Sequence, residues 1–125
     1  MRLLYSRDHT WVAPSGTRAR VGISDFAQSE LGDIAYVELP APGRTVSRGE
    51  VTCTVDSLKS SSEIYAPVSG TVVKANTALA SEHSCGLINT DPLVEGWIFV
   101  LELSDQRELD LLLSEEEYAS YISGN

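Results

Sequence analysis

The chain has 125 residues, a formal charge of −9 at pH 7 and a pI near 4.5. This length allows one domain with a hydrophobic core and is too short for two ordinary ones, so residues 1–125 are predicted to form a single domain. The nine basic residues form no cluster, which argues against nucleic acid as a partner. The longest apolar run, Trp97–Leu101, is far too short to cross a membrane, and the charged N-terminal residues do not resemble a signal peptide. No membrane association and a cytoplasmic location are therefore expected.

The N-terminal segment is predicted to form a β-hairpin. A β-rich stretch over Tyr5–Val12 is followed by the turn residues Pro14, Ser15 and Gly16, and then by the alternating polar and apolar residues of Arg18–Ile23. Such alternation is typical of a strand with one buried face. We therefore expect two antiparallel strands before residue 24.

A short helix and a further strand are predicted next. Ser24 and Asp25 are both N-cap residues, and the capping-box spacing between Asp25 and Gln28 predicts a helix over Asp25–Leu31. Gly32 follows in the position of a C-terminal stop. The next stretch, Asp33–Leu39, is rich in β-branched and aromatic residues, which predicts a strand.

The centre of the chain is predicted to be a second hairpin with a lysine at its tip. Val51–Val55 alternates apolar and polar residues, and a second apolar run begins at Ile64 and Tyr65, with Lys59 between them among small hydroxyl residues. Most exposed lysines only add charge. This chain, however, uses arginine for most of its positive charge and has one other lysine, Lys74. Because only lysine offers an amine that can be acylated, Lys59 is a candidate modification site.

Two glycine turns precede similar β-rich stretches, Gly49–Val55 and Gly70–Asn76, one on each side of Lys59. This likeness suggests a pair of packed sheets around a small core. Another strand is predicted over Trp97–Leu103. The side chains of that strand expected to be buried are Ile98, Val100 and either Leu101 or Leu103.

The C-terminus is predicted to form two short helices that pin it to the sheet. Two pairs with capping-box spacing, Asp105 with Glu108 and Ser114 with Glu117, mark where the helices begin. The apolar stripes expected to face the core are Leu109, Leu112 and Leu113 on the first helix and Tyr118, Tyr121 and Ile122 on the second.

No motif predicts a catalytic or metal centre. The chain has no nucleophile elbow, phosphate loop or zinc-protease motif, and neither His9 nor His83 has a sequence-visible partner that would make it a general base. The run Glu82–Cys85 offers at most two good soft ligands, so no metal site is expected. Cys53 lies on the inward face of a predicted strand and Cys85 in a polar loop stretch, so both are expected to remain thiols. A displayed amine on a rigid β scaffold is instead what a swinging-arm carrier requires.

The segment Asp56–Gly70 resembles the lipoyl-attachment segment of the glycine cleavage system H protein family. Further similarities fall in the family's order and spacing over nearly the whole chain: His9, Trp11–Val12, Val21–Gln28, Leu31–Asp33, Tyr36–Pro40, Leu87–Asn89, Glu95–Trp97 and Leu103–Asp105. The resemblance implies a mainly β fold, a lipoyl-type β sandwich or flattened barrel with a short early helix and C-terminal helices.

The resemblance also implies a function. Lys59 would carry lipoate in amide linkage, attached by a lipoate ligase or a lipoyl/octanoyl transferase for which Asp56 and Glu63 are possible recognition residues. The arm would accept an aminomethyl group at a pyridoxal-phosphate glycine decarboxylase and present it to a tetrahydrofolate-dependent aminomethyltransferase. A dihydrolipoyl dehydrogenase would reoxidise it. The chain itself would be a carrier and not an enzyme.

Two residues depart from the family pattern. Thr10 stands where the family usually has a Glu that contacts the loaded amine, and Asp56 replaces a Glu three residues before the lysine. Because Thr10 has no negative charge, binding of the loaded amine would be weaker by about 1.5–3 kcal/mol if the contact is desolvated. Thr10 keeps open an H-like relay of lipoate to 2-oxoacid dehydrogenases, or a redox or regulatory lipoyl module. A biotin carrier ranks last, because Leu58 and Ser60 stand where the biotin family typically has methionines.

Overall fold

The structure is a computed structural model that describes residues 2–80 and 85–123. These residues contain nine strands and three α-helices. The strands are β1 (Leu4–Tyr5), β2 (Thr10–Ser15), β3 (Arg18–Ile23), β4 (Ile34–Glu38), β5 (Thr45–Val46), β6 (Val51–Ser57), β7 (Ser61–Tyr65), β8 (Gly70–Ala75) and β9 (Phe99–Leu103). The helices are α1 (Asp25–Leu31), α2 (Leu87–Thr90) and α3 (Glu115–Ile122), with 3-10 turns at Thr77–Ala80 and Gln106–Leu111.

The strands form two antiparallel sheets around one main core. The larger sheet has the order β1-β2-β3-β9-β8-β5 and the smaller one β4-β6-β7. Both sheets contribute buried side chains to the core, among them Val21, Phe99 and Leu101 from the larger sheet and Val37, Val55 and Ile64 from the smaller. The predicted mainly β sandwich is confirmed, and within the described residues the two sheets do not close into a barrel. The similar stretches that flank Lys59 lie in different sheets, as β6 and β8.

The prediction of one strand over Tyr5–Val12 was wrong. The chain forms β1, turns at residues 6–9 and continues as β2, which runs through Pro14 to Ser15 before the turn at Gly16. The turn depends on His9, whose φ of +69° is in the left-handed region. Few side chains adopt this conformation, although histidine is enriched there. The early hairpin is therefore β2 and β3, with β1 on its outer edge.

Helix α1 has the predicted bounds and one of its two predicted N-cap residues, but the predicted capping box of Asp25 with Gln28 does not form. Ser24 is the N-cap, and its hydroxyl accepts a hydrogen bond from the Ala27 amide at 3.1 Å. Gln28 instead donates its side-chain amide to the Asp25 carboxylate at 2.9 Å. Gly32 ends the helix as predicted, with a φ of +80° that favours glycine.

The first C-terminal helix was predicted to begin at Asp105, and the structure has a 3-10 helix over Gln106–Leu111 with Asp105 as its N-cap. Glu108 does not complete a capping box with Asp105, because its carboxylate accepts the amide of Ser69 at 2.6 Å and the Ser69 hydroxyl at 3.1 Å. This clasp joins the C-terminal segment to the turn before β8. The second predicted helix is α3, and its capping box is confirmed.

The register of β9 corrects the predicted burial pattern. Phe99 pairs with buried Val21, and Leu101 pairs with buried Ala19, so both side chains face the core. Val100, predicted to be buried, lies on the opposite face and is half-buried. Ile98 precedes the strand and is fully buried, as predicted.

Candidate functional site

Lys59 lies at the tip of the β6–β7 hairpin, as predicted. The three residues that link the strands are Leu58, Lys59 and Ser60, and all three are exposed. The Ser57 hydroxyl accepts the amides of Lys59 at 3.3 Å and Ser60 at 3.1 Å, while the Ser57 amide donates to the Ser60 carbonyl at 2.8 Å. A serine at the end of β6 therefore holds the loop in one conformation and keeps the lysine in solvent.

Two further hydrogen bonds fix the base of this loop. The Leu58 amide donates to the Asp33 carbonyl at 3.0 Å, which ties the loop to the chain before β4. The Ser61 hydroxyl donates to the Asp56 carboxylate at 2.6 Å across the hairpin. The tip is thus anchored on both sides, which suits a residue that must present a long flexible group from a fixed point.

The Lys59 side chain extends over the C-terminal end of α1. Its Cε lies 3.5 Å from the position that a Cβ would occupy at Gly32. In the described part of the chain, no carboxylate lies within ion-pair distance of the lysine amine. The amine is therefore exposed and available for acylation.

The outer face of the smaller sheet carries three carboxylates, which we call the acidic face: Glu38, Asp56 and Glu63. Glu38 and Glu63 both pair with Thr54, on either side of β6, and Asp56 is two residues along the same strand. Residues that pair directly, or that lie two apart on a strand, share a face. The structure thus brings Asp56 and Glu63 to one face of the hairpin whose tip carries Lys59.

Sequence reasoning missed Glu38 and its neighbour on this face, Tyr36. Tyr36 pairs with Asp56 and is 53% exposed, which is unusual for so large a ring. Both residues belong to β4, whose register with β6 shifts between Ile34 and Tyr36. Local sequence carries no signal for that shift, so the pairing could not be predicted.

A groove of about 280 Å³ lies between α1, β7 and the β1–β2 turn, and we call it the α1 groove. It is lined by Asp8, His9, Ile23, Phe26, Ala27, Glu30, Leu31, Ser62 and Ile64. Its apolar side chains come from α1 and the two sheets, and its carboxylates belong to exposed residues. Leu31 is adjacent to Gly32, so one end of the groove lies near the Lys59 side chain.

His9 lines the α1 groove and is held by residues distant in sequence. Its Nδ1 lies 2.8 Å from the Tyr118 hydroxyl of α3, and its ring centroid lies 5.0 Å from that of Phe26. Burial lowers the pKa of the imidazole below its ordinary value of 6.5, an effect that the carboxylates of Asp8 and Glu30 partly offset. A neutral imidazole therefore faces the groove near pH 7.

Thr10 does not belong to the groove lining. Its side chain is only 1% exposed, and its hydroxyl lies 2.6 Å from the Ser6 hydroxyl. The site where the family resemblance implies a carboxylate is therefore a buried pair of neutral hydroxyls. The carboxylates that do line the groove are Asp8 and Glu30.

Asn89 of α2 holds the end of α1 and the start of β4 together. Its Nδ2 donates to the Gln28 side chain and to the Gly32 carbonyl, each at 2.9 Å. Its Oδ1 accepts the Ile34 amide, also at 2.9 Å. The sequence predicts no element over Leu87–Thr90, so this structural role was missed.

The two cysteines are not joined by a disulfide, as predicted. Burial raises the pKa of the Cys53 thiol to about 12. Cys85, predicted to lie in a polar loop, is instead 1% exposed, and its thiol donates to the Ile34 carbonyl at 3.4 Å. The residues 82–84 considered with it as metal ligands lie outside the described residues. Within residues 2–80 and 85–123, no group of three His, Cys, Asp or Glu side chains is arranged to hold a metal ion.

Among the described residues, no helix is long and apolar enough to span a membrane.

Comparison with known proteins gives one consistent result. The family model described as glycine cleavage H-protein matches residues 3–125. The glycine cleavage system H protein of Coprothermobacter proteolyticus is 50% identical over 96% of this chain and 94% of its own length. That of Thermus thermophilus is 49% identical over 94% and 91%.

A solved structure agrees with the sequence relatives. The crystal structure of a glycine cleavage system H protein from Mycobacterium marinum superposes with a TM-score of 0.85 at 36% identity, covering 98% of this chain and 97% of the other. Identity at this level over nearly the full length of both chains, together with the matching fold, identifies the family. The chain therefore belongs to the glycine cleavage H-protein family.

Proposed function

We propose that Lys59 carries lipoate in amide linkage and that this chain, as one domain over residues 1–125, is the non-catalytic lipoyl carrier of the glycine cleavage system. The observation that carries the proposal is the geometry of the hairpin tip. A solvent-exposed amine stands on a three-residue loop that Ser57 fixes with backbone hydrogen bonds. A fixed anchor is what a long prosthetic arm needs in order to reach successive active sites.

The setting of the second lysine supports this assignment by contrast. Lys74 lies within β8, where it pairs with Val100, and its amine lies 5.7 Å from the ring centroid of Trp97. It is exposed but stands on a strand and not at a tip. A modifying enzyme that must enclose the target amine would reach Lys59 more readily.

The acidic face provides a recognition surface for the enzyme that attaches the arm. Asp56 and Glu63, with Glu38, present three carboxylates on one face of the sheet whose β6–β7 hairpin carries Lys59. Such a surface would favour a lipoate ligase or lipoyl/octanoyl transferase with a basic rim around its active site, since complementary charge speeds and orients encounter. Exposed Tyr36 adds an aromatic contact of the kind enriched at interfaces.

The α1 groove is a suitable resting place for the arm. Ala27, Leu31 and Ile64 offer apolar contact to an alkyl chain and a dithiolane ring. Asp8 and Glu30 offer negative charge to an aminomethyl group, whose amine is cationic at neutral pH. This chain has Thr10 in place of the family's Glu, and Asp8 and Glu30 are the carboxylates that would hold the loaded amine instead.

The lipoyl arm would supply the group-transfer chemistry. Held by Lys59 in amide linkage, its dithiolane would accept the aminomethyl group of glycine at one enzyme and deliver it at the next. The partners are then a pyridoxal-phosphate glycine decarboxylase, a tetrahydrofolate-dependent aminomethyltransferase and a dihydrolipoyl dehydrogenase. We place the carrier in the cytoplasm, in keeping with two cysteines that do not form a disulfide.

Intact-mass measurement tests the attachment site. The full chain is incubated with lipoate, ATP and a lipoate ligase, alongside Lys59→Arg and the matched control Lys74→Arg. The wild type and Lys74→Arg should each gain one lipoyl group, and Lys59→Arg should gain none. A lipoyl group on Lys59→Arg would overturn the assignment.

The initial rate of the same reaction tests the acidic face. The double variant Asp56→Asn, Glu63→Gln should be lipoylated more slowly, by about tenfold if each carboxylate contributes about 0.7 kcal/mol to the encounter, and the deficit should shrink as salt is added. The double variant Glu115→Gln, Glu116→Gln removes two exposed carboxylates from α3 and serves as the control for net charge. Equal rates for all three proteins would remove the acidic face from the proposal.

A further inference from the structure

Three side chains from three separate elements form a hydrogen-bonded chain that ends at the α1 groove. The Ser24 hydroxyl, at the start of α1, lies 2.6 Å from the Tyr118 hydroxyl of α3. The Tyr118 hydroxyl in turn lies 2.8 Å from Nδ1 of His9. Ser24 and Tyr118 are buried, at 1% and 5% exposure, so water does not replace these contacts.

The directions of these hydrogen bonds follow from counting protons. The Ser24 hydroxyl oxygen already accepts a hydrogen bond from the Ala27 amide at 3.1 Å. Among the described residues, the Tyr118 hydroxyl is the one acceptor within reach of the Ser24 hydroxyl proton. If Tyr118 donated to Ser24, the Ser24 proton would be buried without a partner, which costs about 1–3 kcal/mol. Ser24 therefore donates to Tyr118, and the Tyr118 proton goes to Nδ1 of His9.

This direction fixes the state of the imidazole. A neutral imidazole that accepts at Nδ1 carries its proton on Nε2. Burial raises the pKa of the Tyr118 phenol, so this donor keeps its proton at neutral pH. In the described part of the chain, Nε2 of His9 has no hydrogen-bond partner, and the ring lines the α1 groove. Phe26 and Tyr121 flank the ring, with centroids 5.0 Å and 5.8 Å away, and limit its rotation.

We infer that His9 is an arm-binding residue, whose Nε2–H donates a hydrogen bond to a sulfur of the arm in the α1 groove, and that Tyr118 and Ser24 are positioning residues that fix this tautomer. The inference rests on the proposed function, because the ligand is the arm on Lys59. A neutral donor suits this ligand. It can bind sulfur without repelling the cationic aminomethyl group that Asp8 and Glu30 attract.

The C-terminal helix thereby acquires a functional role besides packing. Helix α3 contributes no residue to the α1 groove, yet its Tyr118 decides which nitrogen of His9 is presented there. The same ring stacks on Tyr5 with centroids 4.3 Å apart, which holds the hydroxyl in place.

Nitrogen-15 NMR of the full chain tests the tautomer directly, with the other histidine assigned from a His83→Gln variant. Above the titration range of His9, the wild type should show the Nε2–H pattern. Tyr118→Phe keeps the ring and removes the hydroxyl, so it should show a mixture of tautomers. Tyr121→Phe is the matched control, because its ring is also 5.8 Å from His9 but its hydroxyl donates to the Arg7 carbonyl. An Nδ1–H pattern in the wild type, or a Tyr118→Phe spectrum like that of the control, would overturn the inference.

The arm contact is tested on lipoylated protein loaded with the aminomethyl group. Loading should shift the His9 resonances, and Tyr118→Phe should lose the aminomethyl group about threefold to tenfold faster than Tyr121→Phe. Unchanged His9 resonances, or equal loss rates, would refute binding of the arm by His9. Intact mass of the same samples separates the two proposals: absence of lipoate from Lys59 would refute the proposed function, while the tautomer result would still test the role of Tyr118.

Discussion

Replacing Asn89 by alanine tests how the chain holds α1 beside the lysine tip. The side chain makes three hydrogen bonds of 2.9 Å, to Gln28, the Gly32 carbonyl and the Ile34 amide. Alanine removes all of them without adding bulk. The two backbone groups lose their partners next to the core, since Ile34 is only 7% exposed.

The expected cost follows from those partners. Each orphaned backbone group costs about 1–1.5 kcal/mol when it is partly shielded from water, and the half-buried Gln28 side chain can bond to water instead. Asn89→Ala should therefore lower the free energy of unfolding by about 2–3 kcal/mol. The end of α1 should loosen, which would also widen the α1 groove.

Urea unfolding followed by circular dichroism measures this effect, with Thr90→Ala as the control. Thr90 is the next residue of α2 and is exposed, and its hydroxyl makes one long hydrogen bond of 3.4 Å to Gly86. The control should stay within about 0.5 kcal/mol of the wild type, with the same dependence on urea. If Asn89→Ala lowered the free energy of unfolding by less than about 1 kcal/mol, the hydrogen bonds of Asn89 would not be what holds α1 in place.

Three further predictions concern other parts of the molecule. Burial raises the pKa of the Cys53 thiol from its ordinary 9.0 to about 12. At pH 8 this thiol should therefore react with a thiol reagent roughly a thousandfold more slowly in the folded chain than in the urea-unfolded chain, because the thiolate is the reactive form. Comparable rates would contradict its burial. Burial lowers the pKa of His9 in the folded chain, so the unfolded chain binds a proton on His9 more tightly than the folded chain does. The stability that neutral His9 provides is therefore complete above pH 6.5 and is lost as pH falls through the folded pKa. Between pH 7 and 5 the unfolding free energy should fall less steeply in His9→Gln than in the wild type, and equal slopes would refute this. Ser114→Ala removes the capping box of α3 and should cost about 1 kcal/mol, whereas Ser120→Ala in the exposed middle of the helix should cost little; equal losses in urea unfolding would show that the cap is not the cause.

Features of the site that depend on local sequence could be predicted. The alternation in β6 and the small residues after it placed Lys59 at a hairpin tip, because period and turn chemistry act within a few residues. Helix α1 and the α3 cap followed from N-cap serines whose side chains bond to the amide three residues further on. The family resemblance added the expected cofactor and partners, which these patterns alone do not specify.

Features that depend on long-range pairing could not be predicted. Glu38 joins the acidic face only through the shifted register of β4 on β6. His9 and Tyr118 are 109 residues apart, and no local pattern links them. Asp105 and Glu108 had the spacing of a capping box, but the Glu108 carboxylate bonds to Ser69 instead, and the predicted helix is a 3-10 helix. In each case a contact between residues distant in sequence determines the structure, and the local sequence either carries no signal for it or favours another structure.

The most direct test of the central claim is glycine-dependent exchange of labelled bicarbonate, catalysed by the pyridoxal-phosphate glycine decarboxylase in the presence of this carrier. Lipoylated wild type and Lys74→Arg should stimulate exchange to the same saturating rate. Lys59→Arg, treated in the same way, should give no stimulation above the enzyme alone. Failure of the lipoylated wild type to stimulate exchange, or stimulation by Lys59→Arg, would contradict the account.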